Sequence, residues 1–83
     1  MKRKDIFDKV EVVFRDVFDD ENLNISEDTN SEDIEDWDSL EHINLIVAME
    51  TVFKLKFNIT EVAELKNVGE MIDLIEYKIM NDE

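Results

Sequence analysis

A chain of 83 residues with no cysteine, no proline and a single glycine, Gly69, excludes a disulfide scaffold, a thiolate metal site and a turn-rich β domain. Its formal charge of −14, from 23 acids against 9 basic residues, repels nucleic acid and anionic membranes and steers basic protein surfaces inward. The hydrophobic share of 43% is too high for a disordered acidic tail, and no run nears the ~20 apolar residues that span a bilayer. One domain, 1–83, is expected, with a small core held by packing alone. Asp5 and Asp8 interrupt any signal-like stretch behind the basic start Met1–Lys4, so a cytoplasmic protein without membrane insertion is expected. High like charge favours a monomer.

The first helix is expected from about Lys4 to Phe18, where Ile6, Val10, Val13 and Val17 keep helical spacing and Phe7, Phe14 and Phe18 widen the stripe. The segment Asp19–Asp38 follows, polar and acidic, with Leu23, Ile25, Ile34 and Trp37 as apolar pins; so long a connection in a small domain marks a functional or wrapped loop. From Asp19 to Phe53 there are 12 acids and no lysine or arginine.

The second helix has the clearest start. Asp38 can cap it, Glu41 completes a capping-box-like pair, and Trp37 can serve as half of a hydrophobic staple. Leu40, Ile43, Val47 and Ile46 are expected to face inward. After a turn through Lys54–Asn58, Thr60–Leu65 is long enough for one short helix, contributing Val62 and Leu65. The last helix begins at Asn67, with Glu70 in its first turn and Val68, Met71, Ile72, Ile75 and Ile79 repeating at helical spacing. Gly69 lowers propensity there only slightly, so near the end. Four helices, three long and one short, around one core are therefore expected.

Ser39, just behind the Asp38 cap, falls in the first turn of the second helix, with its hydroxyl near solvent. Unpaired backbone N–H groups and the positive end of the helix dipole would favour a phosphate there, although serines also begin helices for no other reason. A serine-hydrolase reading through His42 lacks room in so small a helical domain for an orienting acid and an oxyanion hole. A calcium loop starting at Asp28 fails as well, since its sixth and twelfth positions are Asp33 and Ser39; no specific metal site is expected.

Asp36-Trp37-Asp38-Ser39-Leu40, followed by the helix Glu41–Phe53, resembles the phosphopantetheine attachment motif of acyl carrier proteins, centred on the Asp-Ser-Leu triplet. The order of elements is similar throughout, as are the downstream runs Phe57-Asn58-Ile59-Thr60-Glu61, Leu65 and Asn67-Val68-Gly69-Glu70-Met71-Ile72. The resemblance implies an all-α, four-helix bundle of acyl-carrier type with no catalytic activity of its own. It implies that a phosphopantetheinyl transferase attaches 4'-phosphopantetheine from coenzyme A to Ser39, flanked by the motif residues Asp38 and Leu40. The arm's thiol then carries an acyl group as a thioester.

The resemblance further implies that acyl-loading and acyl-processing enzymes dock on the second helix through basic patches, at Glu41, Asn44, Glu50 and Thr51. Asn44 and Thr51 stand where fatty-acid-synthesis carriers often have acids, Trp37 where many have a smaller residue, and Lys54 and Lys56 make the next loop more basic. These departures leave open fatty acid synthesis or a specialised lipid, polysaccharide-modifying or secondary-metabolite pathway. In the family the acyl chain can slip between the helices, where Ile43, Ile46, Val47, Phe57, Val62, Leu65 and Ile72 would line its path. His42, with catalysis set aside, is expected to be a surface residue near the arm. An aminoacyl carrier, D-alanyl or peptidyl, is the sibling reading; an acidic helical adaptor that has no use for Ser39 is the reading from another class.

Overall fold

The computed structural model describes residues 2–81, the last of them by its backbone alone. Met1, Asp82 and Glu83, which belong to the expected domain 1–83, lie outside the described residues. Four helices form in the expected order: α1 (Arg3–Val17), α2 (Ser39–Phe53), α3 (Ile59–Ala63) and α4 (Val68–Asn81), with no strand among the described residues. The fold is all-α.

Helix α1 packs against both α2 and α4. Its stripe Ile6, Val10, Val13 is buried as its spacing predicts, but Phe14 is fully buried while Val17 is only partly so. The core therefore sits slightly to the Phe14 side of the expected line. Asp19 closes α1 in the left-handed region at φ 52°, and Asp20 N–H bonds the Arg15 carbonyl across it at 2.9 Å. Helix α4 buries Val68, Met71, Ile72 and Ile75, with Ile79 and Leu74 packed at its edge. Its start is fixed by Asn67, whose Oδ1 accepts the Glu70 N–H at 2.9 Å.

In α2 the inward face differs from the expected one. Leu45, Ile46 and Met49 are buried, whereas Leu40, Ile43 and Val47 are 66%, 59% and 54% exposed. The cause lies in the sequence itself: apolar side chains stand on both sides of this helix, and each set keeps helical spacing. Periodicity alone cannot choose between two such faces. Only Ile46 of the expected inward residues reaches the core.

The long connection 19–38 is held down by specific anchors. Ile25 and Trp37 are buried, with Leu23 and Ile34 packed against the core. The Arg15 guanidinium donates to the Leu23 carbonyl at 2.8 Å, and Glu11 accepts the Ile25 N–H at 3.1 Å. Further along, the N–H of Gly69 donates to the Glu27 carbonyl at 2.7 Å and that of Val68 to Thr29 at 2.9 Å. A β-carbon on Gly69 would lie 3.0 Å from the Glu27 oxygen, so the loop approaches α4 where only glycine leaves room. No helix among the described residues is long and apolar enough to cross a membrane.

Candidate functional site

Ser39 is the first residue of α2, directly behind its cap. Asp38 has extended backbone and its Oδ1 accepts the Glu41 N–H at 2.9 Å, which fixes the helix start one residue before the serine. The reciprocal half of a capping box does not form. The Glu41 carboxylate instead accepts from Asn44 Nδ2 at 2.6 Å. Asp38, Ser39 and Leu40 are all exposed, so the serine hydroxyl faces solvent at the positive end of the helix.

Trp37 and His42 brace this point from below. The two rings are stacked, 6.0 Å apart at 16°, and Trp37 Nε1–H donates to His42 Nδ1 at 3.2 Å. With Nδ1 accepting, Nε2 carries the proton and donates to the Val62 carbonyl at 2.9 Å. Trp37 also meets Phe14 edge-on at 5.2 Å. Helix α1, the loop, the head of α2 and α3 are thus joined through one aromatic chain. His42 is therefore half-buried and fully bonded, not the free surface residue expected from sequence. Its position on the first turn just beyond Trp37, where a staple partner belongs, is the signal that could have found it.

A groove of about 510 Å³ opens beside Ser39, with Ile43, Ile59, Val62 and Leu65 among its walls. Its far side is α3, which is set by a capping box between Asn58 and Glu61. The Glu61 carboxyl is held below the usual carboxylate range, first by the Asn58 N–H and then by the Lys78 ammonium, 3.1 Å away. Of the residues expected to line an acyl path, Ile43, Val62 and Leu65 meet at this groove. Ile46 and Ile72 lie in the core and Phe57 packs at its edge. Val47 points outward and lines a separate cavity of about 550 Å³ with Glu50, Thr51, Lys54 and Lys56.

The four residues expected to meet partners divide in the same way. Glu41 and Asn44 form a bonded pair near the head of α2, with Asn44 exposed. Thr51 is exposed and donates its hydroxyl proton to the Val47 carbonyl at 3.2 Å. Glu50 is half-buried and turns into the fold, accepting the Phe57 N–H at 2.9 Å.

The family model for the phosphopantetheine attachment site matches residues 8–75 of this chain. The fold is also similar to the solution structure of holo acyl carrier protein from Geobacter metallireducens, with a TM-score of 0.82 and 43% sequence identity, over 89% of this chain and 85% of that one. The chain belongs to the acyl carrier protein family. The crystal structure of acyl carrier protein from Thermotoga maritima matches with a TM-score of 0.86 over 100% of this chain and 96% of that one, at 20% identity, a likeness of fold alone. No curated protein matches the sequence.

An acyl carrier protein is a carrier, not an enzyme, and its cofactor is covalently attached 4'-phosphopantetheine. The head of α2 fits such a group. An exposed hydroxyl stands beside the Ser39 and Leu40 N–H groups, which the Asp38 cap leaves free and which suit a phosphate, and the adjoining walls are apolar, which suits an acyl chain. When bound, the group supplies a thiol that holds acyl groups as thioesters; the chain supplies position, charge and shelter.

Proposed function

We propose that Ser39 carries the arm and that this single carrier domain, 1–83, presents acyl thioesters to enzymes of fatty acid, specialised lipid or secondary-metabolite biosynthesis. The observation that carries the reading is the placement of Ser39: an exposed hydroxyl at the first position of α2, behind the Asp38 cap and at the mouth of the groove. A phosphopantetheinyl transferase is the first partner. The serine Oγ–P bond forms as the phosphoanhydride bond of coenzyme A breaks, the adenosine bisphosphate leaves, and the hydroxyl proton passes to solvent or to a base of the transferase. Asp38 holds the helix start that presents the oxygen, and Leu40 offers apolar surface beside it.

Later partners meet an exposed α2 face made of Leu40, Ile43 and Val47, with Asp38, Glu41 and Asn44 at the head and Thr51 near the foot. Carboxylates around an apolar centre suit enzymes with basic docking patches. Glu50 has a smaller part in this than its acidity suggests, because its carboxylate already holds the Phe57 N–H. Bound acyl chains would enter between α2 and α3, along Ile43, Val62 and Leu65, and reach Ile46 and Ile72 by displacing core packing. The charge favours a monomer, and a cytoplasmic setting belongs to the same proposal.

Intact mass after incubation with coenzyme A and a promiscuous phosphopantetheinyl transferase tests the attachment. The wild-type protein is expected to gain one phosphopantetheine and Ser39→Ala none, with both keeping the same helical circular dichroism. A folded, initially unmodified wild-type protein that gains nothing would overturn the reading and favour the acidic adaptor.

A further inference from the structure

We infer that Lys66 forms an anion subsite on the far wall of the groove and receives the phosphodiester of the arm, so that the arm leaves Ser39 across the groove toward α3 and not outward along α2. The inference rests on the reading of Ser39 given above. Lys66 lies between α3 and α4, is exposed, and lines the same groove as Ser39. It is the single cation among the lining residues described, where Asp38 is the single acid.

Five other cations are already engaged, and Lys2, Lys54 and Lys56 are not among the lining residues of this groove. Arg3, Lys4, Arg15 and Lys78 hold carboxylates, and Lys9 lies over the Phe53 ring. No ion pair among the described residues involves the Lys66 ammonium. Its neighbour Glu70 accepts the backbone N–H of Lys66 at 3.0 Å, which fixes that stretch of chain at the rim of the groove without using the side chain.

The charges flanking Ser39 along the sequence are all negative: Glu35, Asp36, Asp38 and Glu41. A phosphodiester on Ser39 adds a further negative charge in their midst. Repulsion from that side and attraction to one ammonium across the groove act in the same direction. Apolar walls at Ile43, Ile59, Val62 and Leu65 offer the phosphate no competing cation. The α2 N–H groups and Lys66 then approach the phosphate from different sides. A carboxylate on a cargo would present the same chemistry to the ammonium. The phosphodiester is favoured because it is anchored at the groove mouth, whereas a cargo sits at the far end of the arm.

The experiment compares amide spectra of ¹⁵N-labelled apo and holo protein, the holo form made with coenzyme A and a promiscuous transferase. In the wild type the arm is expected to shift the Leu65 and Lys66 resonances as well as those around Ser39. In Lys66→Gln the arm-dependent shift at Leu65 is lost while the shifts around Ser39 persist; Lys66→Arg keeps both, and Lys56→Gln, outside the groove, behaves as wild type. Unmoved Leu65 and Lys66 resonances, or an undiminished Leu65 shift in Lys66→Gln, would overturn the inference. Shifts that arise only when the arm is loaded with a succinyl group, and not in thiol or acetyl forms, would assign the ammonium to the cargo and overturn it too. Failure of the Ser39 reading is distinguished by intact mass, as an absent mass gain or one that survives Ser39→Ala.

Discussion

Gly69 lies in the first turn of α4 with its N–H on the Glu27 carbonyl, and a β-carbon there would stand 3.0 Å from that oxygen. In an open helix, replacing glycine by alanine stabilises by roughly 0.5–1 kcal/mol. Here the new methyl must push loop backbone away and loosen a hydrogen bond, so the sign reverses. Gly69→Ala is expected to destabilise by about 1–2 kcal/mol in a urea or thermal melt; a gain would show that the 19–38 connection yields easily. Sequence reading assigned this glycine only a propensity cost, because the contact joins residues far apart in the chain. His42 was misjudged for the same reason: its Trp37 partner is local, but its Val62 partner is not. Ser39, Asp38 and Trp37 were legible, since a helix cap and what precedes it are local chemistry.

At the scale of elements, the head of α1 is tied to its surroundings by one side chain. The Arg3 guanidinium donates to Glu27 at 2.6 and 2.8 Å, to Asp73 at 2.8 Å and to Glu76. Loop, α1 and α4 meet there. The hydrogen bonds that Arg3 donates to Glu27, then to Asp73, raise its pKa further above its already high value, and Arg3 holds the Glu27 carboxyl below its usual range. Because the Glu27 pKa is lower folded than unfolded, its contribution is complete above the unfolded value of about 4.3 and is lost as pH falls through the folded one. Arg3→Ala is therefore expected to lower Tm by a few degrees at neutral pH. The gap between wild type and variant should narrow below about pH 4; an unchanged gap down to strong acid would show that the pair with Glu27 is not what stabilises. Helices α1 and α4 were readable because each has one apolar stripe. Helix α2 was not, because Leu40-Ile43-Val47 and Leu45-Ile46-Met49 each fit one helical face, and only packing against α1 decides between them.

The whole molecule is a small packed body with a radius of gyration of 11.8 Å that carries a charge of −14. Self-repulsion at that density opposes folding. Raising ionic strength from ~0.01 M to ~0.15 M shortens the screening length from ~30 Å to ~8 Å, which weakens repulsion across the molecule more than the short contacts around Arg3. Tm is expected to rise by several degrees over that range, followed by calorimetry. A Tm that falls with salt would mean that the ion pairs outweigh the net charge. The order and number of elements at this scale followed from composition and periodicity. The groove did not, because it depends on how α3 is set against the head of α2, which the short sequence of α3 does not encode alone.

The outward turn of Leu40, Ile43 and Val47 separates two duties that many small proteins must combine. Side chains that hold the scaffold together lie on one side of α2, and those that a visiting enzyme would touch lie on the other. Exchange on the outer side costs little stability, generally within about half a kcal/mol. If clients dock on this face as proposed, rewriting a few surface positions is expected to redirect the carrier from one to another, with the bundle beneath left as it is.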